Sequence, residues 1–382
     1  MQLNVSLSQF YKVIFRLFFL MAFVVMLYAP ATAQVGGRSV YRFLNLPASA
    51  RITANGSNLI SVMDADVSLA FHNPSLLNPL MNNRVSLSTS AYYAGINFGN
   101  FSYAREIKNI AMFHWGIHYN TYGKFTGADE TGAITGEFNA NDIALFVGAS
   151  RTYQEKYNYG VNIKLLSSNY ESYNSFGIST DWAASYNDTA KMMTASLLIK
   201  NIGFQFKPFV SGNRDPLPFE IQLGFSKRLK HVPFRINIMA QNLQRFNLRY
   251  EGEDPQQNQQ TLFGDTTANE EKKAAVFFDN VARHFNISGE LYLGKLFTVA
   301  FGYNHQRRKE LAVPTKKGLA GFSFGAGINI KMFSFWYARG RYHIAGASNH
   351  VTVGIDINKF MKKNKVVKEG SPLVIPELPV QN

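Results

Sequence analysis

The sequence predicts an all-β protein: a transmembrane outer-membrane β-barrel of about 14 antiparallel strands with a small N-terminal plug segment. Three observations lead to this prediction. Apolar and polar residues alternate along many stretches of about ten residues, an export signal opens the chain, and the connections between strands alternate between short and long. The first observation gives the strands, and the other two indicate where the strands lie.

The alternation is clearest in residues 318–360. Successive side chains of a strand point to opposite faces, so a period of two separates two sets of residues. Tilted strands of about 9–11 residues are long enough to cross a membrane. Alternation alone does not reveal the wet face, because a soluble sandwich buries its apolar face and a membrane barrel turns it toward lipid. One face carries Ala320, Phe322, Phe324, Ala326, Ile328 and Ile330.

Residues 1–33 have the pattern of a secretory signal peptide. Lys12 and Arg16 precede an apolar run over residues 17–28, and residues 31–33 form an A-x-A cleavage site. The run is shorter than the roughly 20 residues of a spanning helix, so cleavage is favoured over a membrane anchor. No later stretch is long and apolar enough for a membrane helix. Since only helices and closed barrels satisfy the backbone in lipid, an exported chain of this kind indicates an outer-membrane barrel.

Loop lengths are sorted along the chain. The gaps after most even-numbered strand candidates are short, and those after the third, seventh, ninth, eleventh and thirteenth are long. Outer-membrane barrels have short periplasmic turns and long extracellular loops, whereas a soluble sandwich has no reason for such sorting. The strand number is then even, with both termini in the periplasm. The candidates are 84–93, 96–106, 110–123, 138–153, 157–170, 174–187, 191–201, 217–229, 233–249, 282–294, 296–306, 319–331, 333–342 and 349–360.

The predicted organisation has four parts. Residues 1–33 are the cleaved signal peptide, residues 34–83 a plug or periplasmic segment, residues 84–360 the barrel, and residues 361–382 a periplasmic tail. The second part has small residues and turn signals but no strand-like alternation. Its small, polar character suits a plug within the lumen.

Composition narrows the function. The net charge is +14, which favours anionic surroundings such as lipopolysaccharide phosphate or nucleic acid. The export signal favours lipopolysaccharide and outer-membrane lipid, and no nucleic-acid module is recognisable. The chain has no cysteine, which excludes disulfides, thiolate metal sites and a lipid-modified cysteine anchor.

The residues offer no enzymatic constellation. His114 and His118 share one face of a strand, where they stand roughly 13 Å apart and suit a lumen or girdle better than a metal site. Asp64 and Asp66 resemble half of a calcium loop, but the Gly and Glu that complete one are missing. There is no Gly-x-Ser-x-Gly elbow and no phosphate-binding glycine loop. We therefore expect neither enzyme activity nor a cofactor, and an outer-membrane hydrolase has no motif behind it.

The longest loop is the candidate for partner binding. Residues 251–269 are polar and glutamine-rich, whereas residues 270–284 have a helical apolar stripe. Such a helix would either meet a partner at the extracellular rim or pack down to close the barrel mouth. A second loop carries Arg307, Arg308 and Lys309 with Lys316 and Lys317, which could meet anionic lipopolysaccharide. The candidate partner-binding residues are Phe277, Phe278, Arg283, Arg307 and Arg308.

Several segments of the chain have distinctive motifs. The most specific is residues 212–221, GNRDPLPFEI, and residues 64–77 carry an Asp to Asn-Pro element. The others are 43–51 (FLNLPASAR), 93–97 (YAGIN), 122–130 (YGKFTGADE), 134–138 (ITGEF), 201–203 (NIG) and 283–285 (RHF). Together these segments resemble the PorQ family of outer-membrane proteins from the bacterial type IX secretion system, and the likeness covers nearly the whole mature chain. The Asp to Asn-Pro element is also similar to the wider group of FadL-like barrels.

The resemblance implies a FadL-like barrel of fourteen strands and a role in the cell-surface attachment complex. In that complex a sortase, PorU, works with a sister barrel, PorV, and links cargo to anionic lipopolysaccharide, while PorQ-like proteins anchor the surface protein PorZ. Catalysis belongs to the sortase, so no catalytic residue carries over. The first hypothesis is therefore a non-enzymatic anchor that holds a PorZ-like partner near a PorU/PorV-type complex. The alternative is a FadL-like channel that passes hydrophobic small molecules through the plug.

Overall fold

A computed structural model describes residues 39–249, 273–311, 318–343 and 346–361. The predicted signal peptide, the polar loop at 251–269, Lys316, Lys317 and all of the predicted tail except Met361 lie outside these ranges. None of the helices in the described ranges is long and apolar enough to cross a membrane.

The fold is a closed barrel of fourteen antiparallel strands, which confirms the predicted fold class. Each strand pairs with the next, and the last pairs with the first from Arg84 opposite Asp356 to Ala91 opposite Asn349. Closure leaves no strand edge unpaired, as the backbone requires in lipid. The strands are β1 (Arg84–Ala91), β2 (Asn97–Ile107), β3 (Ala111–Ala128), β4 (Ile134–Tyr153), β5 (Tyr157–Tyr170), β6 (Tyr173–Asp188), β7 (Met193–Lys207), β8 (Glu220–Arg228), β9 (Phe234–Ala240), β10 (Phe285–Leu293), β11 (Phe297–Asn304), β12 (Phe322–Ile330), β13 (Phe333–His343) and β14 (Gly346–Asp356).

The apolar face of the strands is the outer face. On β5, Ile163 and Leu165 are exposed on the outside, whereas Asn162 and Lys164, which alternate with them, are buried in the lumen. The alternation therefore has the sense of a membrane barrel, with an apolar band toward lipid and a polar interior. This resolves the ambiguity that the period of two leaves open.

The two ends of the barrel differ in their connections. At one end, which we call the short-turn end, six connections span two to five residues each. At the other, the long-loop end, the connections include residues 208–219, 241–284 and 305–321. Two predicted long gaps are shorter than expected, because β3 with β4 and β13 with β14 extend as hairpins into the expected loops.

Residues 39–83 lie inside the barrel as a plug of short helices. The plug contains the α-helix α1 (Ala50–Ala54) and a series of 3-10 turns, and most of its side chains are buried. Its apolar side chains pack against wall residues such as Phe146 and Leu198. The plug and the wall thus share one core, although the lumen is otherwise polar.

Two Asn-Pro steps shape the plug. Asn73 accepts a hydrogen bond from the backbone N–H of Ser75, and Asn78 accepts one from Leu80, in each case with proline at the first position of the turn. Asparagine at the cap and proline next to it satisfy and preorganise the start of a helical turn. The amide of Asn73 also donates to the carbonyl of Ile60 at 2.6 Å, which folds the plug back on itself.

A buried cluster of charges fixes the plug to the wall. Arg51 of α1 forms ion pairs with Glu290 of β10 at 2.7 Å and with Asp64 of the plug at 2.8 Å. Arg235 of β9 also contacts Glu290, at 3.1 Å. The side chain of Glu290 is fully buried and that of Arg51 is 6% exposed, so both charges are largely shielded from bulk water and depend on each other.

A second buried pair supports the middle of the plug. Lys164 of β5 contacts Asp181 of β6 at 2.6 Å and lies over the ring of Phe71 at 4.5 Å from its centroid. Asn162 donates to the carbonyls of Ala70 and Phe71. The side chains of the wall therefore bind the backbone of the plug as well as the side chains of the plug.

We expect Arg51→Ala to destabilise the folded barrel by about 3–5 kcal/mol, because it leaves the buried Glu290 without one of its two arginine partners. The measurement is the temperature at which the purified protein loses the faster gel mobility of a folded barrel. Lys124→Ala is the matched control, since Lys124 and Glu137 form an exposed pair whose loss costs about 0–1 kcal/mol. Equal transition temperatures for the two variants would contradict the role given to Arg51.

Candidate functional site at the long-loop end

A helix lies at the long-loop end where the sequence predicts one. It is α2 (Lys273–Arg283), which falls inside the predicted 270–284 and contacts β10 and a second helix, α3 (His305–Leu311). The sequence does not signal α3 by an apolar stripe, because its residues are mostly polar. Asn304 caps its start by accepting from the backbone N–H of Arg307 at 3.0 Å.

Three phenylalanines form an exposed aromatic patch beside α2. Phe277 and Phe278 of α2 are 51% and 68% exposed, and Phe246 of the preceding loop is 57% exposed. The ring centroids of Phe246 and Phe277 are 5.6 Å apart, and those of Phe277 and Phe278 are 5.7 Å apart. We call these three residues the rim patch. Clustered exposed aromatics are characteristic of surfaces that bind another molecule.

Asp279 connects α2 to α3 and to the loop that follows β9. It contacts Arg283 at 2.8 Å, Lys309 of α3 at 3.2 Å, His305 at 3.4 Å and Arg249 at 4.0 Å. Burial acts to raise the pKa of Asp279, but hydrogen bonds from Arg283 and Lys309 outweigh it and hold the pKa at about 2. The carboxylate is therefore ionised at neutral pH and keeps both helices in one arrangement.

The predicted partner-binding residues divide into two groups. Phe277 and Phe278 are exposed, as a binding surface requires. The three arginines instead make hydrogen bonds within the fold. Arg283 donates to Asp279, Arg307 donates to the Ser57 hydroxyl of the plug at 3.1 Å, and Arg308 donates to the Gly318 carbonyl.

The rim and the plug are joined by hydrogen bonds. Gln306 of α3 accepts from the side-chain amide of Gln241 at 2.9 Å and from that of Asn242 at 3.0 Å. Together with the Arg307 contact, these bonds link α3 to the loop that follows β9 and to the plug. The rim patch is therefore supported by two helices, α2 and α3, that are hydrogen-bonded to the rest of the protein.

The sequence-based predictions did not include two residues of the candidate site, Asp279 and Phe246. Asp279 stands four residues before Arg283, a spacing that places both on one helix face and could have been recognised. Phe246 joins the patch from the loop that follows β9. Its place next to α2 depends on how that loop folds, and no local pattern signals it.

The other residues singled out in the sequence lie inside the barrel. His114 contacts the Asn162 side-chain oxygen at 2.7 Å, and His118 stacks on Phe71 with centroids 4.5 Å apart. Asp64 and Asp66 both contact Arg51. Within the described ranges, no group of three or more His, Asp or Glu residues is placed to hold a metal ion.

Comparison with known proteins yields structural neighbours only. No family model and no curated protein matches the chain. The Pseudomonas putida toluene transporter TodX is 11% identical over 84% of this chain and 98% of its own, with a TM-score of 0.44. The TodX deltaS2S3 mutant monoaromatic hydrocarbon channel is 11% identical over 81% of this chain and 97% of its own, with a TM-score of 0.46.

A third neighbour, the KdgM porin, is 6% identical over 71% of this chain and 98% of its own, with a TM-score of 0.31. The identities and TM-scores of these neighbours are too low to assign their activities to this chain. The resemblance to the PorQ family is not confirmed by these comparisons.

We expect Asp279→Asn to loosen α2 without unfolding the barrel, because the variant removes the charge that Arg283 and Lys309 share. Amide hydrogen exchange should be at least about tenfold faster in residues 273–283, with exchange in β5 unchanged. Asp215→Asn, at an exposed aspartate of the 208–219 loop, should leave both regions as in the wild type. Unchanged protection of α2 in Asp279→Asn would show that other contacts hold the helix.

Proposed function

We propose that this protein is a non-enzymatic outer-membrane barrel that holds a partner protein at its long-loop end. The rim patch is the observation that carries this proposal. Three large aromatic side chains are exposed together on a platform that Asp279 and the arginines brace. Aromatic anchors on a rigid surface are the usual centre of a protein interface, since little conformational entropy is lost when they bind.

The sequence resemblance supplies the finer form of the proposal. A PorQ-like protein of the type IX secretion system would anchor a PorZ-like surface protein, near a PorU/PorV-type sortase complex that links cargo to anionic lipopolysaccharide. In this arrangement the long-loop end is extracellular and both termini are periplasmic. The rim patch then faces the side of the membrane on which the surface partner resides.

The buried ion pairs inside the barrel favour an anchor over a transporter. The buried Arg51 and Glu290 form one ion pair, which the partly exposed Asp64 joins, and the buried Lys164 and Asp181 form another. A solute that moved straight through the lumen would have to separate these charges in a region where water does not replace their partners.

The second candidate function is a FadL-like channel for hydrophobic small molecules. The named neighbours are a toluene transporter and a monoaromatic hydrocarbon channel, and these names agree with the channel better than with the anchor. In such a channel the rim patch would collect an apolar solute before entry. The two candidates thus use the same aromatic residues and differ in whether the plug must move.

Replacement of the rim patch tests the anchor. We expect Phe277→Ala combined with Phe278→Ala to reduce recovery of the surface partner with the purified barrel at least about tenfold, because two aromatic anchors are removed. The matched control is Phe125→Ala with Phe138→Ala, a stacked pair on the β3–β4 hairpin at the same end of the barrel. Equal recovery from both double variants would contradict a partner site at the rim patch.

A disulfide between plug and wall separates the two candidates. Ser61 and Ser226 have their hydroxyl oxygens 2.6 Å apart, and the chain has no cysteine to compete. We expect the Ser61→Cys, Ser226→Cys variant to retain partner recovery and cargo attachment when oxidised, because holding a partner needs no plug movement. A deletion strain provides the baseline for both readouts.

The same oxidised variant should lose uptake of an aromatic hydrocarbon if the barrel is a channel whose plug moves, with uptake restored by reductant. Two results together would favour the channel over the anchor. The double-cysteine variant would take up the hydrocarbon only when reduced, and the deletion strain would attach cargo normally. Loss of cargo attachment in the deletion strain, with no uptake at any redox state, would establish the anchor.

A further inference from the structure

A groove opens on the outer wall of the barrel near the long-loop end. Its volume is about 860 Å³, within the roughly 300–1,000 Å³ range of ligand sites. It is formed by β10 to β14 together with residues preceding β12, and its walls are mostly apolar. This region faces outward, so the groove belongs neither to the lumen nor to the rim patch.

Aromatic side chains and one arginine form a row across the groove. Phe301 of β11 pairs with Phe324 of β12, and Phe324 pairs with Arg339 of β13. The two phenylalanines are 52% and 53% exposed. Leu319 and Phe322 extend the apolar wall toward the long-loop end. The groove thus presents a surface suited to acyl chains, with a cation at one side.

A second cation stands on the same face. Arg341 lies two residues beyond Arg339 on β13, so both side chains point outward about 6.6 Å apart along the strand. Both are exposed, and no carboxylate in the described ranges forms an ion pair with either. An outward arginine at a membrane interface keeps its charged group near the lipid headgroups while its stem lies on apolar surface.

We propose that this groove binds a lipid with several acyl chains and a phosphorylated headgroup, the chemistry of lipid A. The acyl chains lie on Phe301 and Phe324, and the phosphate lies between Arg339 and Arg341, on the side of the long-loop end. The arginine fork matches the oxygens of a phosphate and forms short, charge-assisted hydrogen bonds with them.

The position of the groove selects this occupant. A protein partner would approach from the aqueous side, whereas this groove is continuous with the lipid-facing wall. Basic sites beside membrane-spanning elements recognise lipid headgroups through the same combination of charge and apolar surface. The proposal rests on the proposed orientation, in which the long-loop end faces the outer leaflet, and does not depend on the partner bound at the rim patch.

The test measures lipid binding to the purified barrel in a neutral detergent by native mass spectrometry. The probes are diphosphorylated lipid A, the same lipid after chemical dephosphorylation, and inorganic phosphate. We expect the phosphorylated lipid to bind at least about tenfold more tightly than the dephosphorylated one. Inorganic phosphate at the same concentration should not displace it.

Arg339→Gln combined with Arg341→Gln should weaken binding of the phosphorylated lipid at least about tenfold and leave binding of the dephosphorylated lipid unchanged. The matched control is Arg105→Gln with Arg151→Gln, which removes the same charge from outward positions near the short-turn end. Both double variants are first shown to be folded by gel mobility without heating.

Binding that survives the Arg339 and Arg341 changes, or that falls equally in the control, would overturn the site. If inorganic phosphate alone displaced the phosphorylated lipid, the arginines would be a site for a free anion. That result would also overturn the proposed lipid site. The partner-recovery assay with the Phe277 and Phe278 variants is independent of these readouts, so failure of the proposed function and failure of this inference remain distinguishable.

Discussion

The structure depends on one constraint, which is that lipid offers no hydrogen bonds to a polypeptide backbone. Pairing of β14 with β1 closes the ladder and removes both sheet edges. Closure in turn creates an interior, and the period of two sends every second side chain into it. Because the outward residues are apolar, the inward residues carry most of the polar and charged groups of the wall. The polar interior is therefore a consequence of the membrane wall and needs its own partners.

The plug supplies those partners. Glu290 is fully buried and pairs with Arg51 and Arg235, while wall residues such as Asn162 satisfy backbone carbonyls of the plug. Breaking one buried partner leaves an uncompensated charge, so the plug and the wall stabilise each other. The plug also reaches the rim, where Ser57 accepts a hydrogen bond from Arg307. Lumen, plug and rim are in this way parts of a single hydrogen-bonded body.

The sequence predicts the strands well because membrane strands carry a local signal. β5 has the predicted limits, 157–170, since its alternation continues to the turn at each end. β9 was expected to reach residue 249 but ends at Ala240, because Asn242 just beyond it has a φ of 56°, which an extended strand does not adopt. In the candidate site, too, local features can be predicted and long-range contacts cannot. The sequence indicates α2 and its phenylalanines, whereas the contacts of Arg307 and Arg308 depend on how distant segments meet.

Both proposed recognition sites lie on the outside of this barrel, for a reason that follows from its electrostatics. Inside, charges such as Arg51 and Lys164 are already neutralised by partners, so a ligand would have to displace an existing pair. At the long-loop end, the rim patch exposes aromatic surface, and Arg339 and Arg341 have no carboxylate partner among the described residues. A ligand that binds there gains contacts without breaking any. An anchor and a lipid site can therefore coexist on one outer surface, while the stability of the fold is secured within the lumen.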